Sequence, residues 1–141
     1  MRSAQMEPDA GGTYVGSSFM YATARDWARF GLLYLNDGIW AGERILPEGW
    51  VDYSRKRTPT SEHGIYSAQF WNAATQKVGT PMERYWPDLP DDIYYASGFE
   101  GQQVIIIPTK DMVIVRLGLT ADRAAWDVGA FIRGVLESIE E

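Results

Sequence analysis

The residues best suited to chemistry cluster in one stretch, Ala96-Ser97-Gly98-Phe99-Glu100-Gly101-Gln102. A hydroxyl and a carboxylate are interleaved with glycines, and the stretch runs straight into an apolar segment. Glycine in such a place lets main chain come close to another molecule, so this junction is the candidate site. Other chemistries lack their groups. The chain has no cysteine and a single histidine, His63. A zinc site, a cysteine nucleophile and a disulfide framework therefore lack ligands or thiols. A Ser-His-Asp triad could draw only on His63, whose setting in the polar loop 58–64 predicts a solvated side chain.

The elements that must position this junction begin immediately after it. Residues 104–107 and 112–117 form two nearly continuous apolar runs. Between them stands Pro108-Thr109-Lys110-Asp111, a polar break of turn-favouring residues. Runs rich in β-branched residues joined so closely predict an antiparallel hairpin. A strand with one wet face would alternate apolar and polar residues, and these do not. Both faces must be covered, which predicts a central hairpin rather than an edge.

Residues 1–12 read as an irregular polar lead-in, and 13–22 as a short extended segment with a bend at Gly-Ser-Ser. A helix follows. Thr23 and Asp26 make its start signal, the Thr hydroxyl facing the Asp26 amide. Ala24, Trp27, Ala28, Gly31, Leu32 and Leu35 share one face; Phe30, Leu33 and Tyr34 widen it, predicting a second half buried nearly all round. Arg25 and Arg29 fall on a solvated or locally paired side, and Asn36-Asp37-Gly38 supplies the stop. Residues 39–46 form a connector with a turn at Gly42-Glu43. Pro47 opens a shorter helix to about Lys56, with Trp50 and Val51 on its apolar side. Residues 66–72 read as a strand and 73–92 as a long irregular loop, whose Tyr85 and Trp86 could equally line a cleft or pack under the loop. A last helix over 122–139 carries the stripe Ala125, Val128, Gly129, Ile132, Val135, Leu136 and Ile139.

A chain of 141 residues is the size of one domain. Its apolar content of 45% and mean hydropathy of -0.27 fit a soluble, globular chain. The opening residues have neither a basic nor an apolar leader region, so no signal peptide is expected in them. A net charge of -6 argues against a nucleic-acid partner. Two or three strands between helices make a thin sheet domain. Cover for the second face could come from polypeptide upstream of Met1, from the first helix and the long loop, or from a second copy through the exposed sheet.

Three stretches together carry a family resemblance: Gly16-Ser17-Ser18-Phe19, the run Ala22-Thr23-Ala24-Arg25-Asp26-Trp27-Ala28-Arg29-Phe30-Gly31, and the 96–102 junction. In order and spacing they resemble the serine β-lactamase-like hydrolases. That superfamily takes in class C β-lactamases, D-alanyl-D-alanine carboxypeptidases, family VIII esterases and 6-aminohexanoate-dimer hydrolases, and the likeness is strongest with the last. It covers nearly the whole chain but only the C-terminal portion of the family's length. The fold implied is α+β, an antiparallel sheet packed by helices and including a long C-terminal helix. Residues 1–64 would be mostly helical-lobe and 65–141 the sheet part.

Enzymes of this superfamily use a Ser-x-x-Lys nucleophile, a Tyr-x-Asn-like second motif and a third motif of Lys-Thr-Gly type on a strand. An acyl-serine forms while two main-chain N–H groups hold the oxyanion. Ser-x-x-Lys occurs nowhere in this chain. Tyr34-Leu35-Asn36 matches the second motif in letters only, lying at a helix end downstream of that motif's place. Ala96-Ser97-Gly98 stands at the third. The resemblance thus implies that the Phe99 N–H faces the oxyanion and that Ser97 bonds substrate or the catalytic network. Gly98, Glu100 and Gly101 would form the substrate wall, and no cofactor or metal is implied. Ala96 stands where β-lactam-binding relatives often carry a cation, which favours an amide or ester substrate without a carboxylate anchor. Glu100 would make the entrance acidic and suit an amine-bearing group. The upstream part of the same protein would supply the nucleophile, leaving this chain inactive alone. A binding or assembly domain reusing the sheet without chemistry is the alternative. The relatives are often exported, which favours the periplasm for the full-length protein.

Overall fold

The computed structural model describes residues 1–61, 65–75, 83–84 and 86–140. His63 and Tyr85 lie outside them. In chain order the elements are β1 (Gln5–Met6), β2 (Met20–Tyr21), α1 (Ala24–Leu35), β3 (Ile39–Trp40), β4 (Glu43–Arg44), α2 (Trp50–Arg55), β5 (Trp71–Asn72), β6 (Ala74–Thr75), β7 (Glu83–Arg84), β8 (Tyr94–Ser97), β9 (Gln103–Ile107), β10 (Met112–Arg116) and α3 (Val128–Glu140).

All five residues of β9 are buried. It sits inside an antiparallel sheet of order β10-β9-β8-β5, with Ile107 opposite Met112 and Ser97 opposite Gln103. Alternation sends its side chains to two separate cores. Ile105 and Ile107 join Ile93, Ile114 and Ile132 beneath α3. Ile106 joins Tyr94, Phe70 and Val51 on the other face, beneath Phe30, Tyr34 and Leu35 of α1. Each fully buried isoleucine contributes roughly 1.5–3 kcal/mol against exposure, so the two faces hold β9 from both sides. α1 comes unusually near. A Cβ placed on Gly31 would stand 2.5 Å from a Val113 methyl and 3.1 Å from a Val104 methyl. Only glycine permits that approach.

The hairpin is covered on both faces as expected, yet β10 is an edge among the described strands. Apolar runs demand cover for faces; they say nothing about neighbours along the edge. Four further expectations shift. The lead-in is ordered: β1 pairs with β2, Gln5 opposite Tyr21. Arg2 and Ser3 donate main-chain N–H groups to Asp26 at 2.8 and 2.7 Å. The 39–46 connector is a hairpin of β3 on β4, turning at Ala41-Gly42, both with positive φ (51° and 84°). That is the turn whose twist suits two strands. Residues 66–72 fold back on themselves, Tyr66 bridging Trp71 while Gln69 takes φ 73°, so only Trp71–Asn72 joins the sheet. Within the 73–92 loop, β6 pairs with β7.

Both later helices start late. Gly49, at φ 76°, caps α2, so Pro47 lies outside it. Asp122 accepts from the Ala124 N–H and closes a local 3-10 turn instead of opening the last helix. Asp127 does that, its carboxylate accepting from the Ala130 N–H at 3.0 Å. α1 starts as expected, the Thr23 hydroxyl accepting from the Asp26 N–H. Residues 32–35 are half-buried rather than enclosed, because the sheet meets the helix from one side. Among the described residues no helix is long and apolar enough to cross a membrane.

Candidate active site

β8 ends at Ser97, and the chain must then reverse to enter β9 in antiparallel register. The reversal is made by a 3-10 turn, Phe99–Gly101, in which Glu100 (φ 53°) and Gly101 (φ 80°) both take the left-handed conformation. For a residue with a side chain this costs roughly 1–2 kcal/mol, so the turn must be held. Gly98 N–H donates to the Gln102 carbonyl at 2.7 Å, and Gln102 N–H to the Phe99 carbonyl at 3.4 Å. Thr120 N–H donates to the Glu100 carbonyl at 3.0 Å. Arg116, at the end of β10, donates to the Gly101 carbonyl at 2.7 Å and also to the Thr120 hydroxyl. Its guanidinium carbon lies 3.9 Å from the centroid of a Trp126 ring.

With those bonds made, the carbonyls of Phe99, Glu100 and Gly101 are all taken, while the turn's amides at Phe99 and Glu100 find no acceptor among the described residues. Phe99 is 77% exposed. Ser97 and Gly98 are also exposed, Glu100 and Gly101 half-buried. None of the described residues hydrogen-bonds the Ser97 hydroxyl. Pairing opposite Gln103, itself opposite Arg116, puts Ser97 on the α3 face of the sheet, whereas Ala96 faces α1.

The two glycines differ. A Cβ on Gly98 would meet nothing nearer than Gln102 at 3.7 Å, so packing within the chain does not call for glycine there. A Cβ on Gly101 would stand 2.9 Å from the Arg116 guanidinium and 3.3 Å from Trp126, at a positive φ as well. Gly101 serves the turn itself.

The other sequence candidates fall elsewhere. Tyr34 packs on Phe30 and Phe70, ring centroids 5.0 and 4.8 Å away, and Asn36 is the C-cap of α1. Trp86 packs on Tyr95 at 5.8 Å and lies over Gly129. Arg29 is locally paired with Asp26. Asp26 is 1% exposed; the Ser3 hydroxyl and amide, then the Arg29 guanidinium, hold its carboxyl well below the usual carboxylate range. A 580 Å³ open hollow lies between Met1, Arg29, Phe30, Leu33, Trp40 and Ile45, away from the 96–102 turn. It is mostly apolar and brings no acid, base or nucleophile together. Among the described residues no three His, Asp or Glu side chains group as metal ligands would.

Arg116, Thr120 and Trp126 escape a reading for catalytic motifs. One signal for them was present: Arg116 is the only charge in the apolar run 112–117. A cation ending a half-buried strand needs a partner.

The chain is similar to a 6-aminohexanoate-dimer hydrolase of Paenarthrobacter ureafaciens, 26% identical over 132 residues. The match takes in 86% of this chain and 30% of that protein. It is also similar, with a TM-score of 0.60 and 25% identity, to the solved structure of a Bacillus anthracis protein provisionally named a 6-aminohexanoate-dimer hydrolase. There the likeness covers 94% of this chain and 31% of the other. The chain thus spans about a third of the length of each of these two relatives. No family model matches it. Both likenesses agree with the resemblance to β-lactamase-like hydrolases, carried over most of the chain.

Proposed function

We propose that the chain is the C-terminal portion of a serine hydrolase that cleaves amide or ester bonds through an acyl-serine. Its part is the third motif, Ala96-Ser97-Gly98, and one oxyanion donor, the N–H of Phe99. The observation that carries this reading is the unspent amide: the N–H of the exposed Phe99, just past a strand end, has no acceptor among the described residues, on a turn whose carbonyls at 99–101 are all bonded. A donor fixed in place costs nothing to reorient when a carbonyl oxygen becomes negative, and losing one such donor typically lowers rate roughly a hundredfold or more. Gly98 leaves the strand bare where the scissile bond would lie, and Ser97 offers a hydroxyl beside it. Glu100 and Gly101 complete the wall, Glu100 favouring an amine-bearing substrate by charge.

The nucleophilic serine and its lysine come, in this reading, from polypeptide outside this chain. A donor without an activated serine leaves acylation undone. Purified alone, the chain should show no saturable hydrolysis of a nitrophenyl ester. Grafted in place of the matching stretch of the Paenarthrobacter relative, it should restore hydrolysis. Specific turnover by the chain alone would overturn the division of labour. A folded but inactive graft would favour the non-catalytic binding domain.

A further inference from the structure

We infer that Arg116 is a positioning residue for the Phe99 N–H, acting through the turn that carries it; the catalytic half of this inference rests on the hydrolase reading above. Arg116 and Thr120 anchor both left-handed carbonyls of the turn. The Gly101 carbonyl accepts from Arg116 directly, and the Glu100 carbonyl accepts from the N–H of Thr120, whose hydroxyl Arg116 also holds. With both carbonyls tied back against β10 and the 117–120 segment, the backbone that carries the Phe99 N–H is held in place, and among the described residues that N–H has no acceptor. The guanidinium is fixed in turn by the Trp126 face. Trp126 contacts Phe131 of α3, ring centroids 5.0 Å apart. A rigid path therefore runs from α3 to the turn. Register explains why this residue is the one that reaches: Arg116, Gln103 and Ser97 lie opposite one another across three strands. Arg116 is thus on the edge strand at the same level as the third motif. Arginine is suited to the task because its planar fork meets two acceptors at once, which lysine cannot do in the same geometry.

The first test uses this chain as it is, by amide hydrogen exchange. In Arg116→Ala the Thr120 and Gly98 amides, which close the turn, should exchange at least about tenfold faster, while those of residues 105–107 keep their rates. Arg116→Lys should give a smaller change at the same two amides. Should Arg116→Ala fail to fold, Arg116→Lys and Thr120→Val are read in the same way. Unchanged exchange at Thr120 and Gly98, or a loss spread evenly through β9, would overturn the inference. The second test uses the graft described above. Arg116→Ala should lower kcat on the order of ten- to a hundredfold with KM little changed, and Arg116→Lys should recover part of it. Full kcat in an active graft would refute the positioning role even if exchange had risen. An inactive graft with a loosened turn would instead refute the hydrolase reading and leave the clamp standing.

Discussion

The two ends of β9 are both reversals, and they dispose of their polar groups in opposite ways. At the far end, Pro108–Lys110 makes a 3-10 turn and Asp111 takes φ 47°. Asp92 reaches over from the segment before β8 and accepts from both the Thr109 N–H (2.7 Å) and its hydroxyl (3.0 Å). That turn is closed, and its amide is consumed within the chain. At the near end the clamping side chain is a cation rather than a carboxylate. Arg116 can donate but not accept, so it cannot take up an amide of the turn, and among the described residues the Phe99 N–H has no acceptor. The sign of the clamping charge thus decides whether a turn ends a hairpin or presents a donor.

The contrast can be broken from the strand that joins the turns. Ile105 is fully buried. Ile105→Ala should cost about 3–4 kcal/mol in urea unfolding, with both turns losing exchange protection together. Loss at one turn alone would mean that the two ends are independent. Asp92→Ala should remove about 1 kcal/mol and free only the Thr109 amide, leaving Gly98 and Thr120 protected. The smallest effect is expected at Glu100. Glu100→Gly relieves the left-handed strain but gives the unfolded chain more freedom, for a net gain of about 0.5 kcal/mol by thermal unfolding. A net loss there would show that the Glu100 side chain supports the turn.

Sequence reading served well where one local rule governs and poorly where two compete. The hairpin was legible because two apolar runs flank four turn residues. α1 was legible because Thr23, the stripe and Asn36-Asp37-Gly38 agree with one another. The last helix began six residues late because Asp122 and Asp127 are both competent caps, and the letters do not rank them. Residues 66–72 looked like one strand because propensity does not register a left-handed Gln69. At the candidate site the exposed turn was visible from its glycines. Its clamp was not, since Arg116 reaches it only through strand register, and the neighbours across a sheet are set by folding rather than by sequence distance.

Asp26 moors the first residues of the chain by charge. Its carboxylate gathers the amides of Arg2 and Ser3, the Ser3 hydroxyl and the Arg29 guanidinium. Because its pKa is depressed in the folded chain, the mooring holds in full above the ordinary carboxylate value of about 4 and slips as acidity rises toward the folded value. Acid should therefore loosen the molecule from its beginning, casting off residues 1–3 while the hydrocarbon layers around β9, whose core side chains include no carboxylate, stay shut.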